Sequence, residues 1–263
     1  MEMGLLEMKA INNLENYLRR WPRAVLLFSG GLDSSLLLAV AARALGSGLT
    51  ALTFTGPHIA PGELAAAWSL ARRLRVKHLI RECDPLTLPD FRQNTLTRCY
   101  ACKKAIIQAA WEIAAAHGAL TLFDGTNVDD LADFRPGLKA ARELGVKSPL
   151  LEAGLDKAAI RGASLRLGLP WQKPPQSCLA TRFLHDTLLT REALARVGQV
   201  EAWLRRRGFT RVRLRVRGEE ARLELNPEEW SAFLKPDVRG PFTALISRLG
   251  WERVDLVMVG GGG

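Results

Sequence analysis

The sequence predicts an α/β fold, a parallel sheet with helices on both faces, followed by a small α+β domain. Three observations carry this expectation. Short apolar runs alternate with helical patterns over the first two thirds of the chain. Those runs are continuously apolar, which marks strands buried on both faces. Proline and glycine punctuation from Gly168 to Pro175 then precedes a change of rhythm.

The elements follow in order. Ala24 to Phe28 (AVLLF) reads as a strand, and an apolar, alanine-rich helix follows from Ser34 to Leu45. Leu49 to Thr55 is a second strand. Gly62 to Leu74 is a helix that starts just after Pro61 and carries arginines near its end, where the helix dipole favours cations. His78 to Arg81 begins a third strand, and Cys99 to His117 is a helix stopped by Gly118. Ala119 to Asp124 is a fourth strand, and Asp156 to Leu167 a helix that Gly168 and Pro170 end. Beyond the boundary, Arg191 to Arg207 is a helix, and Arg211 to Val216 with Arg222 to Leu225 form a hairpin. Pro227 to Leu234 is a short helix and Val254 to Val259 a last strand. The expected domains are therefore 1–176 and 177–263. The terminal Gly260 to Gly263 has no side chains to pack and is expected to be disordered.

Composition bounds the function. The chain has 263 residues, 48% of them apolar and 24% charged, the balance of a soluble globular protein. A chain of this length needs no disulfide staples, and four cysteines exclude a secreted disulfide scaffold. The first residues carry acids among the apolar positions and lack the charge order of a signal peptide. The most apolar stretch, Leu36 to Ala42, is closed by Arg43, well short of a membrane span. A cytoplasmic protein without a membrane partner is expected. The net charge of +10 favours anionic partners such as phosphates, nucleotides or RNA, although a charge surplus is as often a solvated surface.

The strongest motif is Ser29-Gly30-Gly31-Leu32-Asp33-Ser34-Ser35, between a strand and a helix. Two glycines let the backbone approach an anion, and the helix start presents free N–H groups at its positive dipole end. Ser29, Ser34 and Ser35 add hydroxyl donors, and Asp33 could hold Mg²⁺ or orient the loop. The lysine of a Walker P-loop is absent. A tight strand-to-helix turn wants glycine in any case, but the full string after a buried strand is far more specific.

This string resembles the PP-loop of the ATP pyrophosphatases, enzymes with an adenine nucleotide alpha hydrolase-like domain that cleave ATP to AMP and pyrophosphate. Further segments narrow the resemblance. They are Asp124-Gly125-Thr126-Asn127 with Asp129 and Asp130, then Phe134 to Ala140 (FRPGLKA), then Ser148-Pro149-Leu150, and last Trp171 to Phe183 (WQKPPQSCLATRF). Together they resemble the LarE family of ATP-dependent sacrificial sulfur transferases, from about Arg23 to Arg253. The resemblance implies a pyridinium dicarboxylate mononucleotide substrate on the route to the nickel-pincer cofactor of lactate racemase. It implies ATP and Mg²⁺, with Ser29, Gly30, Gly31, Asp33, Ser34, Ser35, Asp124 and Gly125 at the nucleotide. It also implies adenylation of a carboxylate followed by attack of a cysteine thiolate. A homo-oligomer is expected, and the C-terminal domain is assigned to substrate, sulfur transfer and oligomerisation.

The matching cysteine is Cys178, in a polar, proline-rich segment with Lys173 and Arg182 nearby to favour a thiolate. The plain alternative is a buried, inert thiol. Cys99 and Cys102 lie one helical turn apart at a helix start. A redox pair, a structural zinc site, a chance pair of packing cysteines and a 4Fe-4S cluster compete there. The last is the reading expected here by resemblance: Cys99, Cys102 and Cys178 as three thiolate ligands, as in some members of the family and in related tRNA thiolases. Cys83 ends a strand and reads as core. Between Arg205 and Arg217 stand seven arginines and no acid, and from Arg211 onward they alternate with Val or Leu. That strand presents one guanidinium face, either solvated or clamping a phosphate. By resemblance Arg213 and Arg215 fall where the family binds the substrate phosphate, with Glu201 and Glu224 as acidic neighbours. His58, His78, His117 and His185 lack ligand spacing and read as structural. A tRNA-thiolating enzyme is the competing reading, although no RNA-binding appendage is visible and a nucleic-acid partner is not expected.

Overall fold

The computed structural model describes residues 2–132, 136–172 and 177–258. The expected disorder of Gly260 to Gly263 lies outside them, as do Arg135 and Lys173. The chain forms two compact units that interleave along the sequence. One comprises Met1–Gly56, Glu63–Asp84 and Thr97–Pro175, the other Pro57–Gly62, Pro85–Leu96 and Gln176–Gly263.

In chain order the elements are α1 (Glu2–Leu18), β1 (Ala24–Leu27), α2 (Leu32–Leu45), β2 (Leu49–Thr55), α3 (Glu63–Arg73) and β3 (Lys77–Glu82). The short α4 (Pro89–Arg92), α5 (Arg98–Ala116), β4 (Leu122–Phe123), α6 (Pro136–Glu143), the short α7 (Pro149–Glu152) and α8 (Lys157–Arg166) follow. The chain closes with α9 (Arg191–Arg205), β5 (Arg213–Arg217), β6 (Glu220–Leu225), the one-turn α10 (Trp230–Phe233), α11 (Pro236–Arg248) and β7 (Val254–Met258).

The first unit holds a four-stranded parallel sheet ordered β3-β2-β1-β4. Its central strand shows why the apolar runs are continuous. Ala24, Leu26 and Phe28 pack in one cluster with Leu14, Leu37, Ala71 and Ile160, from α1, α2, α3 and α8. Val25, pointing the other way, joins Leu52, Leu122, Ile107 and Ala114 beneath α5. Both faces are covered, as the α/β expectation requires.

The second unit holds a three-stranded sheet, β5-β6-β7, in which β5 and β6 pair antiparallel and β6 and β7 parallel. Leu194, Val197, Val200 and Leu204 of α9 pack on Leu214, Val216 and Leu223 of the sheet. The expected hairpin forms, turning at Gly218 with φ 60°.

Three differences from the sequence reading have physical causes. The nucleotide-loop helix begins at Leu32 rather than Ser34, so Asp33 and Ser34 lie in its first turn. The fourth strand shrinks to Leu122–Phe123. Helices α1 and α11 occupy stretches left unassigned. In α1 the signal was Ile11, Leu14 and Leu18 at helical spacing, all buried. In α11, Gly240 and Pro241 masked it; Pro241 lies in the second turn of the helix.

One buried polar relay sits under the loop after β1. The Thr53 hydroxyl donates to the Phe28 carbonyl at 2.6 Å and lies 2.7 Å from His78 Nε2, which donates to it in return. Burial pushes the His78 pKa below its ordinary value. A histidine with a depressed folded pKa stabilises the fold above its unfolded value of about 6.5, and this contribution is lost as pH falls through the folded pKa. Urea unfolding of the wild type should therefore weaken on acidification across that range. His78→Gln, which keeps a donor to Thr53, should flatten that part of the profile. An unchanged profile would show that His78 does not carry it.

Candidate active site

The first part of the site is the turn from β1 into α2. Gly31 is the N-cap of α2, and its carbonyl accepts Ser35 N at 2.9 Å. The amides of the first turn have no carbonyl one turn behind them, so the helix start offers N–H groups and a positive dipole end. Gly30 has φ 71°, and a Cβ there would stand 3.0 Å from the Ala67 Cβ of α3. Both the backbone angle and the space demand glycine. The hydroxyls form a closed circuit. Gly31 N donates to Ser29 Oγ at 3.3 Å, the two serine oxygens lie 3.0 Å apart, and Ser34 Oγ donates to Gly31 O at 3.3 Å. Hydroxyl rotors in such a circuit can swing to an incoming oxyanion without moving the backbone.

This turn opens on a cavity of about 460 Å³. Its lining includes Ser29, Gly31, Asp33, Ser34, Asp124 and Gly125, together with Cys99 and Lys103 of α5 and Gly137 of α6. Gly125 lies so close to α2 that a Cβ would meet Ser34 N at 3.0 Å. The buried Asp124 is held from three directions. Ser148 Oγ donates to its Oδ1 at 2.8 Å, Thr126 N donates at 3.2 Å, and Lys103 Nζ lies 3.7 Å from Oδ2. Asp130, also at the cavity, accepts from Asn127 N and lies 3.8 Å from Lys157 Nζ. The arrangement puts backbone amides and one ammonium around a space with carboxylates on its wall. That pattern suits a polyphosphate with its divalent cation, which takes oxygen from carboxylates and phosphates.

A second, separate group of candidate residues lies in the C-terminal unit. Cys178 opens a short 3₁₀ turn, Leu179–Arg182, and is half-buried. Thr181 Oγ1 donates to Cys178 O at 2.8 Å, and Leu179 N donates to His58 O at 2.9 Å. Arg182 is buried and fully engaged. Its Nε and Nη2 donate to the two oxygens of Glu201 at 2.6 and 3.1 Å, and its Nη1 donates to Ser177 Oγ and Thr181 Oγ1. Glu201 also accepts from Arg205 Nη2 at 2.6 Å and from Leu214 N at 3.0 Å. On the arginine strand, Arg215 donates to Glu224 Oε1 at 2.6 Å and to Thr181 O at 3.2 Å. Arg213 is half-buried, and its guanidinium makes no hydrogen bond or ion pair with the described residues. Burial first, then the guanidiniums of Arg182, Arg215 and Arg211, push its pKa down, while Glu224 opposes them.

Comparison with known proteins was decisive at this point. The family described as "Queuosine biosynthesis protein QueC" matches residues 23–117, the stretch that contains the β1 turn. An uncharacterized protein of Synechocystis sp. is 37% identical over 97% of this chain and 96% of its own length. The pyridinium-3,5-bisthiocarboxylic acid mononucleotide synthase of Lactiplantibacillus plantarum is 35% identical over 81% of this chain and 78% of its own. A protein of Methanocaldococcus jannaschii is 29% identical over 78% of the chain.

The chain belongs to the LarE family of PP-loop proteins.

As a LarE protein it is an enzyme, and the predicted residues can be placed. Ser29, Gly31, Asp33, Ser34, Asp124 and Gly125 converge on the cavity, with Gly30 shaping the turn behind them. Ser35 departs from its expected role. It is buried and outside the lining, because the next step along α2 turns it toward the core. Cys99 lines the cavity, whereas Cys102 is buried beside it and does not. Arg182 is committed to Glu201, so its effect on Cys178 is to hold the turn. Cys83 is half-buried at the end of β3, and burial with Asp84 pushes its thiol pKa up. Lys103 and Ser148 were missed as nucleotide-site residues. Lys103 had one usable signal, since it follows Cys99 by four residues on the same helix face.

Gly30→Ala should cost about 1–3 kcal/mol through its left-handed backbone alone and weaken ATP binding at least about tenfold. Calorimetric titration with ATP, with a thermal melt as control, checks both. Glu201→Gln leaves the buried Arg182 and the half-buried Arg205 short of a counter-charge, for which about 3–5 kcal/mol of stability loss is expected in urea unfolding. A loss below about 1 kcal/mol, typical of exposed pairs, would show that the Glu201 cluster does not brace the unit.

Proposed function

We propose that this LarE enzyme is an ATP-dependent sulfur transferase acting on a pyridinium dicarboxylate mononucleotide, a precursor of the nickel-pincer cofactor. Kinship over 81% of the chain to the named mononucleotide synthase carries this reading. The cavity around the β1 turn supports it, because it suits the triphosphate of ATP.

The chemistry follows from the residues. A substrate carboxylate oxygen attacks the α-phosphorus, the bridge to the β-phosphate breaks, and pyrophosphate leaves with the electron pair. The α2 amides, Ser29, Ser34 and Lys103 hold the negative charge that builds on the departing group. Mg²⁺, carried with the nucleotide, adds charge neutralisation, and Asp33 and Asp124 are the carboxylates that would face it. The product is a mixed anhydride with AMP as its leaving group. The Cys178 thiolate attacks the activated carbonyl, and AMP departs. Cleavage of the Cys178 Cβ–Sγ bond, with the α-proton lost to a base, leaves a thiocarboxylate on the product and dehydroalanine in the chain. Arg213, with Arg215 beside it, is the group we assign to the substrate phosphate, since a half-buried, uncommitted guanidinium favours a bidentate anion.

The competing sulfur source is a 4Fe-4S cluster on Cys99, Cys102 and Cys178, which the family resemblance implies for some members. Among the described residues no group of three His, Cys, Asp or Glu side chains could hold a metal ion, and Cys102 is packed into the core. We assign the sulfur to Cys178 itself, with the three-cysteine cluster as the alternative that a turnover count distinguishes.

The test is incubation of the protein with ATP, Mg²⁺ and the dicarboxylate mononucleotide, read for pyrophosphate and thiocarboxylate. Ser34→Ala should lower pyrophosphate release by about 10²-fold, the usual scale for one transition-state donor. Cys178→Ala should release pyrophosphate yet form no thiocarboxylate. One product per chain, with dehydroalanine at position 178 by mass spectrometry, supports the sacrificial route. Many turnovers sustained by added sulfide in anaerobic, iron-reconstituted protein would overturn it in favour of the cluster.

A further inference from the structure

Cys178 depends on a turn whose far end is gripped by a residue with no assigned role. Asn94 lies in the segment Pro85–Leu96, which packs within the C-terminal unit. It is completely buried and has φ 53°, a left-handed angle that asparagine tolerates better than most residues. Its Nδ2 donates to Leu184 O at 2.6 Å and to Phe183 O at 3.3 Å. Both neighbours are carbonyls, so the amide nitrogen must face them. Its own carbonyl receives Asp186 N at 3.2 Å and His185 Nδ1 at 3.2 Å. Two residues earlier, Arg92 O accepts Leu189 N at 2.7 Å. Residues 183–189 are thus fastened to 92–94 by side chain and backbone alike.

The fastening has a cost that packing alone would not tolerate. Among the described residues Asn94 Oδ1 is buried without a hydrogen-bond partner, an arrangement that destabilises unless the other half of the amide is needed. What it holds is the exit of the Cys178 turn, since Phe183 follows Arg182 directly. Arg182 and Glu201 secure the same turn from the α9 side. The two anchors flank the junction at residues 182–184, at the far end of the short turn that Cys178 opens.

We propose that Asn94 is a positioning residue for Cys178: its amide clamps the Phe183 and Leu184 carbonyls and thereby sets the sulfur for transfer. The inference rests on the assignment of Cys178 as the sulfur-bearing thiol. A misplacement of about 1 Å at a reacting atom can cost about a hundredfold in rate, so loosening one end of the turn should be felt.

The test uses Asn94→Gly, which keeps the backbone angle and removes the amide, and Asn94→Asp, which keeps the shape and replaces the donor with a carboxylate. Two readouts separate positioning from simple folding. The first is thiocarboxylate formed per pyrophosphate released, expected to fall at least about tenfold while pyrophosphate release stays within about twofold of wild type. The second is the rate of Cys178 alkylation by iodoacetamide, followed by mass spectrometry, expected to rise severalfold. Equal loss of both products, or an unchanged ratio with an unchanged alkylation rate in folded protein, overturns the proposal. If both variants fail to fold, Asn94 is a folding residue and the proposal is likewise overturned. Wild-type protein that forms no thiocarboxylate at all would sink the sulfur-transfer reading. The alkylation comparison would still decide the clamp.

Discussion

The C-terminal unit turns on one fully buried carboxylate. Glu201 is fully buried, and desolvating a lone carboxylate costs several kcal/mol even after relaxation. Two guanidiniums and a backbone amide offset that cost. Each donor belongs to a different part of the unit: Arg182 to the Cys178 turn, Arg205 to α9, Leu214 to β5. Satisfying one charge therefore fixes three segments at once. It also commits Arg182, and with Arg215 committed to Glu224, Arg213 stands half-buried among like charges with its fork unspent among the described residues. An anion is the natural complement of that arrangement.

The nucleotide cavity is built on the opposite principle. There the main chain supplies the polar groups and the side chains stay small. Gly30 lets α3 approach the turn at Ala67, and Gly125 lets the loop after β4 lie against the start of α2. Any larger residue at either place would push apart the walls that define the space. Lys103 adds a cation, and its pairing with Asp124 keeps it at the wall of the cavity. The hydroxyl circuit of Ser29 and Ser34 satisfies the loop internally while leaving rotors that an anion can recruit.

Much of this was legible in the sequence because the relevant signals are local. Continuous apolar runs told of a sheet covered on both sides, and the glycine–serine string told of the strand-to-helix turn that lines the cavity. Signals failed where a residue's importance comes from a distant partner. Lys103 matters because Asp124 reaches it, and Ser148 because it donates to the same carboxylate. Ser35 was grouped with its neighbours by proximity in the chain, yet one residue along a helix is a rotation of about 100°, enough to turn it from cavity to core. Helix α11 was hidden by Gly240 and Pro241, whose penalties are outweighed by the burial of Phe242, Leu245 and Ile246.

By itself the sequence determined the class of fold, the position of the nucleotide turn, the thiol at Cys178 and the arginine strand. Each is written in consecutive residues, and local sterics and periodicity suffice to read them. Only the tertiary structure decided which of these groups are free to act. It buried Cys102 and Ser35, committed Arg182 to Glu201, left Arg213 uncommitted, and brought Pro57–Gly62 and Pro85–Leu96 out of the first unit to pack within the second. The reason is physical. Burial and charge pairing are properties of neighbours in space, and a chain of one-dimensional spacings does not say which distant carbonyl Asn94 will hold.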